Sequence, residues 1–491
     1  MRGSPLRDSG GNTMGATILK WTVKFAFTVA GAIIVWAVKN IAVSGIRQMV
    51  RHPRTSVGAA MIGSAVYLVG WEIVVGLFAV LFLGSSIWYS AHRASFERFL
   101  GEFARTWWRR WWTYSRVWSR VMRRCGLVVE DEDTRLVPRL KKVVSTVYWD
   151  TLTLATVEGQ ELADYQGAAQ ALRWAFKAQR VLIRETKPAG VDVELMRRDP
   201  FLDLVVPAAS IPDSLAEVDF SSLHIGTDER FGDVRISLVG GHTAVVGLSG
   251  GGKAGVQWNV LRGLGPALVA GLVAPAFIDP KARELRQARA IVATEDYAVT
   301  AEETIALLQR LVDQMNAVNV AQGDAGERDF TPSVETPLRP IFVDELAPLL
   351  SLWSRTERDK CTKLLQLLLT QGRAAGYIVI GSIQESTKDE FTIRDLFARR
   401  IGLRLPTESY TNAALAEDAV DRGAECHKIP ESLPGVAFSL RAEDKVATRL
   451  RLGHVTTEDI RELVAYVLDG RSVTSLDSRR RSTHDTQENA A

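Results

Sequence analysis

The chain has 491 residues, room for several domains, and a formal net charge of +3 that averages a basic N-terminal third against a more even remainder. Its three cysteines, Cys125, Cys361 and Cys426, lie far apart without C-x-x-C spacing. They argue against a disulfide framework and a zinc site and fit a reducing compartment. Cys426 and His427 are adjacent, a spacing at which two side chains rarely reach one metal, so a packed pair is expected there.

Residues 1–21 are polar and glycine-rich, and disorder is expected. No small-residue cleavage site follows the first apolar stretch, which argues against a signal peptide. Residues 22–38 are nearly all apolar, with Lys24 placed to snorkel. A basic interval with Arg47, Arg51, His52 and Arg54 follows, and then a second apolar tract, 57–89, broken by Gly70-Trp71-Glu72. One helical span needs about 20 apolar residues, so this tract is long for one span and short for two. A tight transmembrane hairpin turning at Gly70 is expected, with both basic flanks in the cytoplasm. Residues 22–90 are thus expected to form a membrane region of two to three spans in a multi-pass protein of the cytoplasmic membrane, with 22–38 either spanning or lying in the interface as an amphipathic helix.

Residues 91–134 interleave arginine and aromatics, among them Trp107, Trp108, Arg109, Trp112, Tyr114, Arg116 and Trp118. Such a stretch can stack on nucleic-acid bases. Placed beside a membrane span it is read here as contact with anionic inner-membrane lipids. An acidic run, 130–133, ends it. Residues 135–206 are expected to form a small α+β adaptor: a strand at 151–154, a helix over 161–179, and a hairpin of 181–183 with 191–195. From 207 to 468 strands and helices alternate, predicting an α/β domain with a mostly parallel sheet. Candidate strands are 234–239, 243–247, 274–279, 340–345, 376–383 and 400–405, and residues 469–491 are expected to be a disordered tail.

Four motifs fall at the carboxyl ends of these strands, where open α/β sheets bind ligands. The first follows Thr243-Ala244-Val245-Val246 and runs Gly247-Leu248-Ser249-Gly250-Gly251-Gly252-Lys253-Ala254-Gly255 into a helix, the layout of a phosphate-binding P-loop. Glycines let backbone N–H groups converge on one anion, the helix N-terminus adds positive potential, and Lys253 supplies an ammonium. The pattern departs at Ala254 and Gly255, neither of which carries the hydroxyl that normally binds Mg²⁺. A glycine-rich turn at a tight crossing is the alternative. The second motif, Phe342-Val343-Asp344-Glu345, has the Walker B arrangement. Asp344 would hold magnesium through a water and Glu345 would deprotonate the attacking water. The alternative for Asp344 is a helix cap before Pro348. Gln384, after Gly381-Ser382-Ile383, is placed to sense a γ-phosphate, and Asp279-Pro280-Lys281 ends a strand on the same edge.

In this order the motifs, with Gln371-Gly372-Arg373-Ala374-Ala375-Gly376 leading to Gln384, resemble FtsK/SpoIIIE DNA translocases. The chain looks most similar to the actinobacterial branch of conjugative plasmids and integrative elements. The resemblance spans roughly residues 50–465. It implies a RecA-like motor that burns ATP with Mg²⁺, a membrane-anchored homo-oligomeric ring, a hexamer, and double-stranded DNA as cargo, with other transfer proteins as partners. It also implies an ATP site completed by a neighbour's arginine, for which Arg373, Arg399 and Arg400 are the candidates by position; surface salt bridges are their alternative role. FtsK-like proteins resemble one another in carrying a winged-helix DNA reader after the motor; here about 25 residues follow Val467, and any sequence-specific loading is expected to come from elsewhere. Two rivals stand beside this reading: a secretion or coupling ATPase that moves protein, and a non-hydrolysing nucleotide-binding membrane scaffold.

Overall fold

The computed structural model describes residue 64, residues 67–68 and residues 70–488, apart from 132–133, 188–189, 328, 385–390 and 442. The N-terminal segment, the 22–38 tract, the basic interval and nearly all of the first hairpin arm lie outside the described residues. The chain divides into two units, Met1–Trp108 and Arg109–Ala491.

In the first unit, Gly70 has a φ of 90° and helix α1 (Trp71–Ala91) begins directly after it. Twenty-one residues at 1.5 Å rise extend about 31 Å, enough to cross a hydrocarbon core. Among the described residues it is the one helix long and apolar enough to do so, and none of its side chains is buried. One such helix does not establish the expected two-span hairpin, nearly all of whose first arm lies outside the described residues. Short helices Arg93–Phe96 and Glu102–Trp108 follow, with Phe99, Phe103, Trp107 and Trp108 exposed.

The second unit opens with a π-helical turn, Arg109–Tyr114, and helix α2 (Trp118–Arg124). Tyr114, Trp118, Val121 and Met122 are buried in the core of the small domain, where Trp118 stacks on Phe176 and donates from Nε1 to the Pro138 carbonyl at 2.7 Å. Part of the arginine/aromatic stretch is thus domain core, whereas Trp112 stays exposed. Four antiparallel strands, β1 (Arg139–Ser145), β2 (Trp149–Ala155), β3 (Arg180–Lys187) and β4 (Gly190–Met196), pair in the order β1-β2-β4-β3. The expected single helix is two, α3 (Leu162–Gly167) and α4 (Ala169–Phe176), with a capping box of Glu161 and Asp164 starting the first. Leu152 and Leu154 alternate on the inner face of β2 and pack with Tyr165, Leu172 and Phe176 of these helices.

The large domain is a ten-stranded sheet of β5 (Leu223–Asp228), β6 (Asp233–Ile236), β7 (Thr243–Val246), β8 (Ala276–Ile278), β9 (Tyr297–Ala298), β10 (Arg339–Val343), β11 (Tyr377–Ile383), β12 (Arg399–Gly402), β13 (Val436–Arg441) and β14 (Thr448–Leu452). Its order is β9-β8-β10-β11-β7-β12-β13-β14-β5-β6. The first six strands run parallel and the last four join antiparallel. All six candidate strands are present, but the one expected at 234–239 is β6, an antiparallel edge strand.

Alternation along the strands sorts the core into two layers. Ala244, Val246, Ile341 and Val343 face α7 (Ala301–Ala325) and α8 (Arg355–Gln371), each started by a capping box. Val245 and Phe342 face α5 (Ala254–Gly263), α6 (Gly265–Val269) and the last helix, α9 (Thr457–Glu488). The backbone of α9 carries on through most of 469–491, where a disordered tail is expected; no proline interrupts that polar stretch.

Candidate nucleotide site at the carboxyl edge of the sheet

Strand β7 is wholly buried, and the chain leaves it at Gly247 to enter the glycine loop. A Cβ on Gly247 would lie 2.8 Å from the Leu403 Cβ. Gly250 and Gly252 have φ of 75° and 94°, values that only glycine adopts without strain. Gly252 packs backbone to backbone on Gly435, and the Gly435 N–H donates to the Gly251 carbonyl at 2.9 Å. The loop therefore hangs from the start of β13, a connection with no local sequence signal. Helix α5 follows, with Lys253 at its N-cap.

Lys253 Nζ donates to the Gly247 and Leu248 carbonyls at 2.8 and 3.3 Å. Burial lowers its pKa, against the opposing pull of Glu345. Asp344 and Glu345 follow β10. Asp344 is partly buried, and its carboxyl is pushed up to about 6 by burial first and then by Asp279 and Glu284. It does not cap the following turn, Pro348–Leu352, whose N-cap is Ala347. Glu345 is 3% exposed. One of its oxygens accepts the Gln384 N–H at 3.1 Å and the other the Lys281 ammonium at 3.3 Å. Asp279 is fully buried and accepts the Leu285 N–H at 3.0 Å and the Tyr297 hydroxyl at 3.1 Å, which raises the Tyr297 pKa to about 12 together with burial, the larger cause.

Several of these groups border a cavity of 820 Å³ lined by Ser249, Gly250, Gly252, Lys253, Ala254, Gly255, Lys281, Glu284, Asp344 and Gln384, and also by Gly435, Arg451 and His454. That size suits a nucleotide. Glu284, Gly435, Arg451 and His454 carry no motif that announces them in the sequence. Buried Gln257 of α5 ties the loop's helix to its neighbours, donating to the Val343 carbonyl at 2.9 Å and to Ser382 Oγ at 3.2 Å.

Arg373 and Arg400 are placed elsewhere. Exposed Arg373 sits in the turn Gly372–Ala375 before β11, and Arg400 lies in β12 opposite Ala244, bonded to Asp395 at 2.9 Å. Both are at the amino ends of parallel strands, opposite the glycine loop, so neither completes the site within its own chain.

The donors fit a magnesium ion carried by a nucleotide better than one held by protein alone. Among the described residues no group of three or more His, Cys, Asp or Glu side chains is placed to hold a metal. Asp344 offers one carboxylate, raised in pKa by burial first and then by neighbouring acids whose repulsion a cation would relieve. Mg²⁺ commonly takes one or two carboxylates, phosphate oxygens and waters.

No family model and no curated protein matches the chain. Among solved structures it is similar to the pCW3 conjugation coupling protein TcpA in monomer form with ATPγS, at 15% identity and a TM-score of 0.45, covering 70% of this chain and 97% of that one. It is also similar to the cytoplasmic domain of the type VII secretion ATPase EccC of Thermomonospora curvata, at 18% identity and a TM-score of 0.40, covering 52% of this chain and 32% of that one. EssC of Geobacillus thermodenitrificans, ATPases 2 and 3, follows at 13% identity and a TM-score of 0.41, covering 55% of this chain and 52% of that one. The FtsK/SpoIIIE resemblance rests on the order of the chain's own motifs.

Proposed function

We propose that the chain is a membrane-anchored ATPase that drives double-stranded DNA through a homo-oligomeric ring, a hexamer, for conjugal transfer or segregation. The observation that carries the nucleotide reading is the convergence of Lys253, Asp344 and Gln384 on one cavity, with Glu345 bonded behind it to Gln384 and Lys281. DNA as cargo and the ring rest on the FtsK/SpoIIIE motif order. A hairpin whose second arm is α1 would anchor it, with residues 70–72 outside and the ATPase in the cytoplasm. Arg373 or Arg400 would serve the neighbouring subunit's site, since both face away from their own.

In this reading Lys253 leaves the loop carbonyls for the β- and γ-phosphates, and the N–H groups of the glycine loop hold the same oxygens. A water oxygen attacks the γ-phosphorus and its proton passes to Glu345. The bond from the γ-phosphorus to the bridging oxygen breaks, and its electron pair leaves with ADP. Asp344 would hold a magnesium ion, which would supply charge neutralisation on the phosphates. Gln384, bonded through its backbone to Glu345, is placed to report the state of the γ-phosphate to the segment after β11.

A second reading has a specific observation behind it. Ala254 and Gly255 give the first turn of α5 no hydroxyl, which favours a nucleotide-binding scaffold that does not hydrolyse. The test is the ATPase rate of the full-length protein in lipid nanodiscs, with and without duplex DNA, beside Lys253→Ala. Duplex-stimulated turnover lost in the variant supports the pump. Binding without turnover supports the scaffold, and turnover stimulated by polypeptide and not by duplex would make the cargo protein.

A further inference from the structure

Lys281 reaches Glu345 from a turn that is built rather than loose. Directly after β8, buried Asp279 accepts the Leu285 N–H and the Tyr297 hydroxyl, and its carbonyl accepts the Ala282 N–H at 2.9 Å. Ala282 has a φ of 51°, a left-handed conformation uncommon outside glycine that persists where the surroundings fix it. The turn therefore delivers Lys281 to one place. Its ammonium lies 3.3 Å from Glu345, whose side chain is 4% exposed while that of the lysine is 47% exposed. The glutamate is fixed and the lysine is free to swing on its four-carbon stem.

We propose that Lys281 is a γ-phosphate-sensing lysine that occupies Glu345 until ATP draws it away; the proposal rests on the reading of the cavity as an ATP site. An ammonium on the Glu345 carboxylate takes the side from which a water would be oriented. A half-exposed pair of this kind is weak and readily exchanged. Lys281 and Lys253 border the same cavity, so a triphosphate there offers Lys281 several anionic oxygens in place of one carboxylate. ADP lacks the outermost of them. Lys281 thereby links arrival of the third phosphate to release of the group that accepts the proton from water. Lys281 is a positioning residue in this scheme, acting on the water through Glu345.

The test measures affinity of the full-length protein in nanodiscs for a fluorescent ATPγS analogue and, separately, for ADP. Lys281→Met keeps the stem without the charge and should weaken ATPγS about tenfold with ADP within about twofold, and Lys281→Arg should recover most of the loss. Glu345→Gln no longer holds the ammonium, so ATPγS should bind about threefold tighter with ADP unchanged. That second variant carries the test if Lys281→Met does not fold. Equal weakening of both nucleotides in Lys281→Met, or ATPγS affinity unchanged in Glu345→Gln, would overturn the proposal while leaving the ATP site standing. Wild type that binds neither nucleotide would sink the ATP-site reading, and the proposal with it.

Discussion

At the seam between the small and large domains, Arg180 and Arg449 meet Glu229, Asp199 and Glu425. At the carboxyl edge of the sheet, Asp279, Glu284, Asp344 and Glu345 meet Lys253 and Lys281. Arg180 bonds Glu229 at 2.9 Å, Glu425 at 3.2 Å and the Gly423 carbonyl at 2.6 Å, and Arg449 grips both oxygens of Asp199 at 2.9 and 2.6 Å. At the sheet edge the ion pair formed is Lys281 with Glu345, while Lys253 turns to backbone carbonyls. The carboxyls respond differently. Burial pushes Asp199 up, yet the Arg449 fork overcomes it and holds the group below its ordinary range, whereas Asp344 is left at about 6. Arginine forks that match their acids fasten one domain to the other. An excess of acid over two lysines suits a site that receives a cation and phosphates and then lets them go.

The sharpest way to break this comparison is to damage each cluster and ask which property fails. Glu345→Gln keeps shape and hydrogen-bonding reach but accepts no proton, so turnover should fall 10²–10⁴-fold, the usual range for a lost general base. Nucleotide should still bind, ATPγS about threefold tighter and ADP unchanged, and the melting temperature should hold. Single-turnover hydrolysis with parallel binding checks it, and wild type turning over as slowly as the variant would favour the scaffold. Arg449→Ala should do the reverse. It strands Asp199, while Arg180 still holds Glu229, in a seam where Arg449 is 9% exposed, and losing one partner of a buried pair costs about 3–5 kcal/mol. Calorimetry should show the second unit melting several degrees lower, with nucleotide affinity per folded molecule unchanged.

A middle-sized effect tests the missing hydroxyl. A Cβ on Gly255 would meet the Gly453 carbonyl at 3.4 Å and the Leu452 Cβ at 3.7 Å, ordinary contact distances. Gly255→Ser should therefore fit and place a hydroxyl in the first turn of α5, raising Mg²⁺ affinity in the presence of ATP by up to about tenfold. Titration of Mg²⁺ at fixed ATP reads the change. Equal affinities would mean that the metal is held from another side.

The two clusters also differ in how far the sequence discloses them. The sheet edge is legible because its chemistry is local: glycines before a lysine, paired acids after an apolar strand, a glutamine after the next one. The seam is not, because Arg180, Asp199, Glu229 and Arg449 are far apart in the chain and each alone reads as a solvated charge. Strands β13 and β14 escape for the same reason. Arg449 and Arg451 interrupt the apolar pattern of β14, and their burial depends on Asp199 and on the carbonyls of Phe201 and Leu204. Tyr114 and Trp118 mislead in the opposite direction: their neighbours look like a membrane surface, but Asp150 and the Pro138 carbonyl satisfy their polar atoms inside the small domain.

The smallest effect is a pH slope of opposite sign for Asp344 and Asp199. Asp344 carries a folded-state pKa of about 6 against an ordinary 3.8, because burial and then the neighbouring acids disfavour its charge. Between those values the folded protein binds more protons than the unfolded chain, so stability falls as pH rises from about 4 to 6 and stays lower above. Asp199 is depressed, so its contribution is present above the ordinary carboxylate range and is lost as pH falls below it. Glu229, raised by burial despite its arginines, shares the sign of Asp344, so an absolute slope would not separate them. The difference between variants does. Without nucleotide or magnesium, the melting temperature of Asp344→Asn relative to wild type should climb as pH rises from 4 to 6. For Arg449→Ala the pH-dependent change should appear at the acid end, where Asp199 takes up its proton. Parallel curves for wild type and Asp344→Asn would remove the charge crowding on which the contrast between fastening and receiving clusters is built.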